Sequence, residues 1–422
     1  MGTKYSRKLV FKTLFLLLIV LLSGLAFSGC LAGTAAVSTG WSGVVIDNDI
    51  LFVGSMEGKL VAANITDGRS FWEVALESTV STGGGFGCAP ASKAVAIYSS
   101  PAVAKDLVYV GGYTGIIYAF SVGKDEPRWV YPRQGALAGY IVGGPIVAEG
   151  KVYFGCADGK VYALDAADGY KEDGWPFETG DKIWSTPTIS GDTLYIGSLD
   201  KKLYALNVAD GSKKWEFETE GAIVSTPLVY DNKVYFGSFD RYLYAIDASS
   251  GNLKWKFMAE NWFWAKAVVY SDTIYAACLD DKVYALNAES GSKQAEFDLG
   301  SPISSSPVLV DDLLIVATEE GAVYAIDTGS HQQRQLADVE GKVYAPLTAS
   351  QGKVYIHTHT DKLYEIDAQS GATLWNISLK SAPPPSSQEP SSTTNWGLLI
   401  AVFVGGIVLI IVFQMLRRRR ST

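Results

Sequence analysis

The chain has 422 residues, 48% of them hydrophobic and 12% aromatic, with a formal net charge of −9. Eight of its 35 basic residues sit at the two ends (Lys4, Arg7, Lys8, Lys12 and positions 417–420), so residues 31–395 hold 27 basic against 44 acidic groups, a net of −17. A surface that acidic repels polyanions, which sets nucleic-acid binding aside, and long amphipathic helical patterns do not occur.

Residues 1–30 open with scattered positive charges and continue as "LFLLLIVLLSGLAF", the pattern of a secretion signal or an anchor. The segment ends in "LAFSGC", which makes Cys30 a candidate lipidation site, although Phe27 stands where leucine is usual. Cleavage near residues 32–36 and retention as an uncleaved anchor are the alternatives.

From residue 41 to residue 379 one pattern returns eight times. In "VYFGSFDRYLYAIDASSGNLKW", residues 234–255, two short β-branched and aromatic runs flank a turn; a second turn runs from Asp247 to Gly251, and a third strand carries Trp255. Gly237 has equivalents at Gly54, Gly111, Gly155, Gly197, Ala277, Ala317 and His357, spaced by a uniform 40 residues from Gly197 onward. The tryptophan recurs as Trp72, Trp129, Trp175, Trp215, Trp255 and Trp375, with Ala295 and Gln335 in the sixth and seventh units. A four-stranded sheet cannot cover both of its own faces, so units of this period stack on one another. The fold class predicted is all-β: an eight-bladed propeller of four-stranded antiparallel blades, its ends abutting or latched by a short strand from residues 34–40.

After the repeats, residues 380–395 are rich in Pro and Ser and read as a linker. Residues 396–416, from Trp396 to Leu416, carry no charge and are long enough for one transmembrane helix, and 417–422 form a basic cytoplasmic tail. With positive charge at both ends, the expected location is a bacterial or archaeal cell membrane, single-pass, with the propeller on the extracytoplasmic side.

"YALDAADG", "YALNVADG", "YAIDASSG" and "YEIDAQSGATLW" resemble the repeat named after pyrroloquinoline quinone (PQQ). The resemblance implies an eight-bladed ring in which each blade's tryptophan docks on its neighbour. It covers two groups: quinoprotein dehydrogenases, and non-enzymatic propellers such as the BamB-type outer-membrane assembly factors. The dehydrogenases use an adjacent cysteine pair, calcium ligands and a catalytic aspartate. This chain has four cysteines, none adjacent to another, and its one sizeable insertion, residues 78–97, is mostly Gly, Ala and Ser. No catalytic residue, cofactor or metal site is therefore expected. His357 and His359 read as ordinary strand-end residues, and Cys88 with Cys156 is a candidate disulfide on one face.

Thirteen residues before each glycine position lie Trp41, Tyr98, Val142, Trp184, Val224, Trp264, Ser304 and Tyr344, expected at the start of the innermost strands and at the mouth of the central channel. "ENWFWAK" adds Trp262, Phe263 and Lys266 to that face. Aromatic rings at a channel mouth suit a partner-binding surface; padding between blade tips is the alternative. The next residue is small in every unit, as inner strands crowding an axis require. The reading is a membrane-anchored extracytoplasmic scaffold for an envelope protein or peptide, in assembly or quality control. A PQQ-dependent oxidoreductase and a polymer-binding or sensor ectodomain are the alternatives.

Overall fold

A computed structural model of the chain describes residues 40–76 and 95–380. Among the described residues the regular elements are 32 strands in eight antiparallel sheets, each built from four consecutive strands. These are blades 1 to 8, in chain order.

Blade 5 shows how the local sequence makes a blade. Its strands are Leu228–Tyr230, Lys233–Gly237, Tyr242–Asp247 and Leu253–Met258. Lys233–Gly237 is buried throughout, because neighbouring blades cover both faces of a middle strand. Leu253–Met258 lies at the outer edge and is mostly exposed. The second and third strands are joined by a hairpin in which the Asp240 carboxylate accepts from Tyr242 N–H at 3.1 Å and from the Tyr244 hydroxyl at 2.7 Å. The same aspartate–tyrosine pair recurs at Asp158–Tyr162, Asp200–Tyr204 and Asp280–Tyr284. Burial first, and the Asp240 carboxylate second, push the Tyr244 phenol above its ordinary range, which keeps it a donor.

The apolar core is a set of layers between adjacent blades. One layer joins Tyr235, Ala245 and Trp255 of blade 5 to Ile274, Ala276 and Leu286 of blade 6. Trp255 Nε1 donates to Ala288 O at 3.0 Å, and the Tyr235 hydroxyl donates to the same oxygen at 3.0 Å. Trp215 with Tyr195 meets Ala248 O, and Trp129 with Tyr109 meets Ala166 O, in the same way. Trp129, Trp215 and Trp255 thus dock on the following blade, each joined by a tyrosine from the second strand, whereas Trp72 Nε1 and Trp175 Nε1 are enclosed with no partner among the described residues.

The Trp129, Trp215 and Trp255 rings each lie over a turn glycine of the next blade, Gly169, Gly251 and Gly291. Gly291 has φ +71°, and a Cβ there would sit 2.5 Å from the Trp255 ring. Gly291→Ala is expected to cost about 2–3 kcal/mol, from left-handed strain and overpacking together. Urea unfolding measures it, and a cost below about 0.5 kcal/mol would mean the ring moves aside freely. Blade 6 shows the reverse arrangement. Ala295 stands in the tryptophan position, and the turn residue it faces in blade 7 is His331 at φ +58° rather than glycine. With no indole above it, the turn has room for a side chain, and His331 meets the Phe297 ring edge to face at 6.1 Å.

Blade 7 differs from the sequence alignment of repeats. In blades 4, 5 and 6 the irregularity between the third and fourth strands follows the central alanine, but in blade 7 it falls two pairs earlier, between Val323 and Tyr324. Arg334, not Gln335, therefore sits opposite Ala325, and its guanidinium donates to Gln369 O of blade 8.

The ring closes by abutment. Blades 8 and 1 share an apolar layer containing Tyr355, Leu363, Val44 and Leu51, and Trp375 Nε1 donates to Ile65 O at 3.2 Å. His357 occupies the glycine position of blade 8, fully enclosed, with Nδ1 on Ser42 O at 2.8 Å and Nε2 on Asp361 Oδ1 at 3.0 Å. Asp361 Oδ1 also accepts from Met56 N–H at 3.1 Å, so one buried pair clasps both sides of the seam.

The membrane-anchored part of the sequence reading is corrected. The described residues contain no helix, and none therefore long and apolar enough to cross a membrane. The transmembrane helix expected at 396–416, the signal segment 1–30, the linker 380–395 beyond its first residue, and the tail 417–422 lie outside the described residues. Among the described residues the fold class is accordingly an eight-bladed propeller, with no transmembrane helix. The expectations that rested on that helix are withdrawn: membrane anchoring, a membrane partner through Trp396 to Leu416, and a single-pass location in a bacterial or archaeal membrane.

Candidate functional site

The eight residues at the thirteen-before position converge on the axis. Trp41, Tyr98, Val142, Trp184, Val224, Trp264, Ser304 and Tyr344 all line one axial cavity. They lie on the segments leading into the first strands, not on the strands themselves: Trp264, for example, precedes the strand Val268–Tyr270. Their small neighbours are structural, as expected. Ser225 is buried, donates to Gly237 O at 2.9 Å and accepts from Gly237 N–H at 2.8 Å, and Ser185 and Ser42 donate to the next blade's equivalent carbonyls, Ser225 O and Ser99 O, each at 2.9 Å. A hydroxyl at this position ties adjacent inner segments together with no room for a larger side chain.

The rim above is an arc of aromatic rings. Tyr344 and Trp41 lie 6.0 Å apart, Trp41 and Tyr98 4.5 Å edge to face, Tyr98 and Tyr113 4.9 Å, and Tyr113 and Tyr140 4.4 Å stacked. Tyr140 then reaches Trp184 at 6.5 Å. Across the ring, Phe239 stacks on Trp262 at 4.5 Å and on Trp264 at 5.5 Å. Trp262 is 42% exposed, unusual for a residue of its size. Beside it, Trp41, Trp264, Leu279 and Tyr344 join it around a mainly apolar pocket of about 240 Å³, with Ser304 and Glu319 as its polar members. Burial first, then the neighbouring phenols, push the Tyr98 and Tyr113 hydroxyls up, so these two stay neutral.

Three rings of this face, Tyr113, Tyr140 and Phe239, are absent from the sequence reading. Tyr113 and Phe239 lie two residues after the glycine position, as do Leu279, Glu319 and His359, so aligning that position as well reveals the outer ring. Tyr140 follows no shared register. Phe263 is corrected: it is 1% exposed and packs over Gly237 in the layer between blades 5 and 6, not on the face. Lys266 lines the axial cavity. His357 and His359 are not neighbours in function. The first clasps the seam, while the second accepts from Lys342 N–H at 2.7 Å beside Tyr344.

Cys156 and Cys278 are buried free thiols, pushed up in pKa mainly by burial, and Cys156 Sγ donates to Gly139 O at 3.3 Å. Cys30 and Cys88 lie outside the described residues, and the candidate disulfide and lipidation site with them. No group of three or more His, Cys, Asp or Glu side chains among the described residues could hold a metal ion.

A closed ring of eight four-stranded blades, with indoles docked on the turns of the next blade, defines a PQQ-like β-propeller. The chain belongs to the family described as the β-propeller of the beta-alanine-activating enzyme, which matches residues 171–417. A second family, described as outer membrane protein assembly factor BamB, matches residues 28–175. The chain is 31% identical over 123 residues to the assembly factor BamB of Shewanella oneidensis, a match covering 28% of this chain and 26% of that protein. It is 23% identical over 128 residues to the BamB of Legionella pneumophila, covering 30% of each. The matched region thus spans under a third of these curated relatives. The crystal structure of BamB from Moraxella catarrhalis superposes with a TM-score of 0.62 at 20% identity, covering 75% of this chain and 90% of that one, which is a likeness of fold.

Proposed function

We propose that this propeller is a protein-binding scaffold that holds its partner on the aromatic face, in an assembly role like that named for its BamB relatives. The observation that carries the reading is the apolar pocket of about 240 Å³ beside the channel mouth, rimmed by Trp41, Trp262, Trp264, Leu279 and Tyr344. Its volume suits one or two apolar side chains. Indoles and phenols on a rigid ring give large contact area with little loss of side-chain freedom on binding, which is why such residues dominate binding energy at interfaces. The blades are locked to one another by buried layers, so the rim meets a partner already in its bound arrangement. The beta-alanine-activating activity in the family's name is left with that enzyme.

Trp264→Ala is expected to weaken partner capture by about tenfold or more, the loss typical of an aromatic anchor. Its melting temperature should fall by no more than about 2 °C, because the ring faces the channel and not an inter-blade layer. Phe71, 56% exposed on the outer strand of blade 1, supplies the control, and Phe71→Ala should leave capture unchanged. Quantitative crosslinking pull-down with the full chain measures all three proteins. Equal capture by Trp264→Ala and the unaltered chain would remove the face from consideration.

A further inference from the structure

Two residues beyond the rim position the blades carry a second inward-facing set. In seven of them this residue is glycine, proline, serine or threonine, including Ser100, Thr186, Thr226 and Ser306; in blade 6 it is Lys266. Ring geometry therefore does not demand a charge at this level. Lys266 lines both the upper axial cavity and a wider cavity of about 640 Å³ beneath it. Among the described residues no aspartate or glutamate lines either cavity; Glu319 borders only the apolar pocket to one side. No ion pair or hydrogen bond joins the Lys266 amine to another described residue, and burial pushes that amine below the ordinary lysine range.

The hydroxyls around Lys266 are biased toward donation. Thr186 Oγ1 accepts from Gly144 N–H at 2.8 Å, and Ser306 Oγ accepts from Lys266 N–H at 3.0 Å. Each has spent an acceptor site on the backbone and still has its proton to give. Two further members of the cavity wall, Ser304 Oγ and Trp184 Nε1, are enclosed and have no partner among the described residues. One cation, several donors and no acid make a site for an acceptor bearing a single negative charge.

We propose that the axial cavity is a carboxylate site, in which Lys266 and the surrounding hydroxyls hold the carboxylate while the rim of Trp41, Tyr98, Trp184, Trp264 and Tyr344 packs on the apolar body that carries it. One lysine balances one carboxylate; a dianion would leave charge uncompensated in a propeller that is already strongly acidic. The site rests on the aromatic face being a binding face, and it adds what the face reads: a carboxylate at a chain end or on a small molecule.

Phenylacetate and its neutral isostere phenylacetamide are the probes, titrated into the full chain with binding followed by calorimetry. Phenylacetate is expected to bind about 10- to 100-fold more tightly than the amide, the worth of a charge-assisted contact. Lys266→Met should bring that ratio to about one without lowering the melting temperature, and Lys266→Arg should retain most of it. A tripeptide ending in leucine, compared with its amidated form, separates the sources. A preference for the free acid assigns the site to chain ends, and equal binding of the two peptides beside a phenylacetate preference assigns it to small carboxylates. Equal binding of phenylacetate and phenylacetamide to the unaltered chain, or a preference that survives Lys266→Met, overturns the proposal. If instead the protein-binding reading fails, Trp264→Ala leaves capture intact while the phenylacetate preference persists, so the two failures are distinct.

Discussion

Replacing Trp255 by alanine is expected to lower the stability of the propeller by about 3–5 kcal/mol, measured by urea unfolding. The indole is 9% exposed and lies in the layer between blades 5 and 6, over Gly291. Three things go with it. The lost burial leaves a cavity that the blades cannot close, because each is pinned by the rest of the ring. Ala288 O loses one of two donors, keeping only the Tyr235 hydroxyl at 3.0 Å. The flat surface over the Gly291 turn disappears. Blade 6 does without a tryptophan at this position, but there the facing turn carries His331 in place of glycine, its ring edge to face with Phe297. Trp255→Ala has no such compensation. A loss below about 1 kcal/mol would show that the indole is not what holds blades 5 and 6 together.

The second large effect is expected at the seam. Asp361→Ala should cost about 3–5 kcal/mol, the range for removing one partner from a buried pair. The Asp361 and His357 side chains are both fully enclosed, 3.0 Å apart. Removing the carboxylate strands His357 Nε2 and Met56 N–H together, at the junction between the first and last blades. No described strand is exchanged across this junction, as each sheet uses four consecutive strands. The remaining ties include the apolar layer, His357 Nδ1 on Ser42 O at 2.8 Å, Trp375 Nε1 on Ile65 O, and the Thr348 hydroxyl on Val44 O at 2.5 Å. A variant that unfolds at the same urea concentration as the unaltered chain would place the closure in the apolar layer alone.

How much of this was legible beforehand follows from how each feature is encoded. The blade is local: an aspartate that gathers backbone N–H groups, a glycine at positive φ and a tryptophan a few residues on lie within one short segment, and their recurrence reports the ring. The inner rim was legible for the same reason, since its eight members share one register. Phe263 was misplaced because its neighbours Trp262 and Trp264 face the channel, and only the structure shows the main chain turning it back over Gly237. Blade 7 was misaligned because a bulge moves without changing the repeat length. The membrane anchor was inferred from a stretch outside the described residues and has no counterpart within them.

The amino-acid sequence by itself determined the number of blades, their strand order and the residues that dock one blade on the next, because each depends on contacts between near neighbours repeated at a regular period. Only the tertiary structure decided which blades break the pattern, how His357 and Asp361 close the circle, and that a single lysine faces the axis among small and hydroxyl residues. Those features join residues from opposite ends of the chain or from many blades at once. Their meeting is a property of the closed ring, and no one repeat contains it.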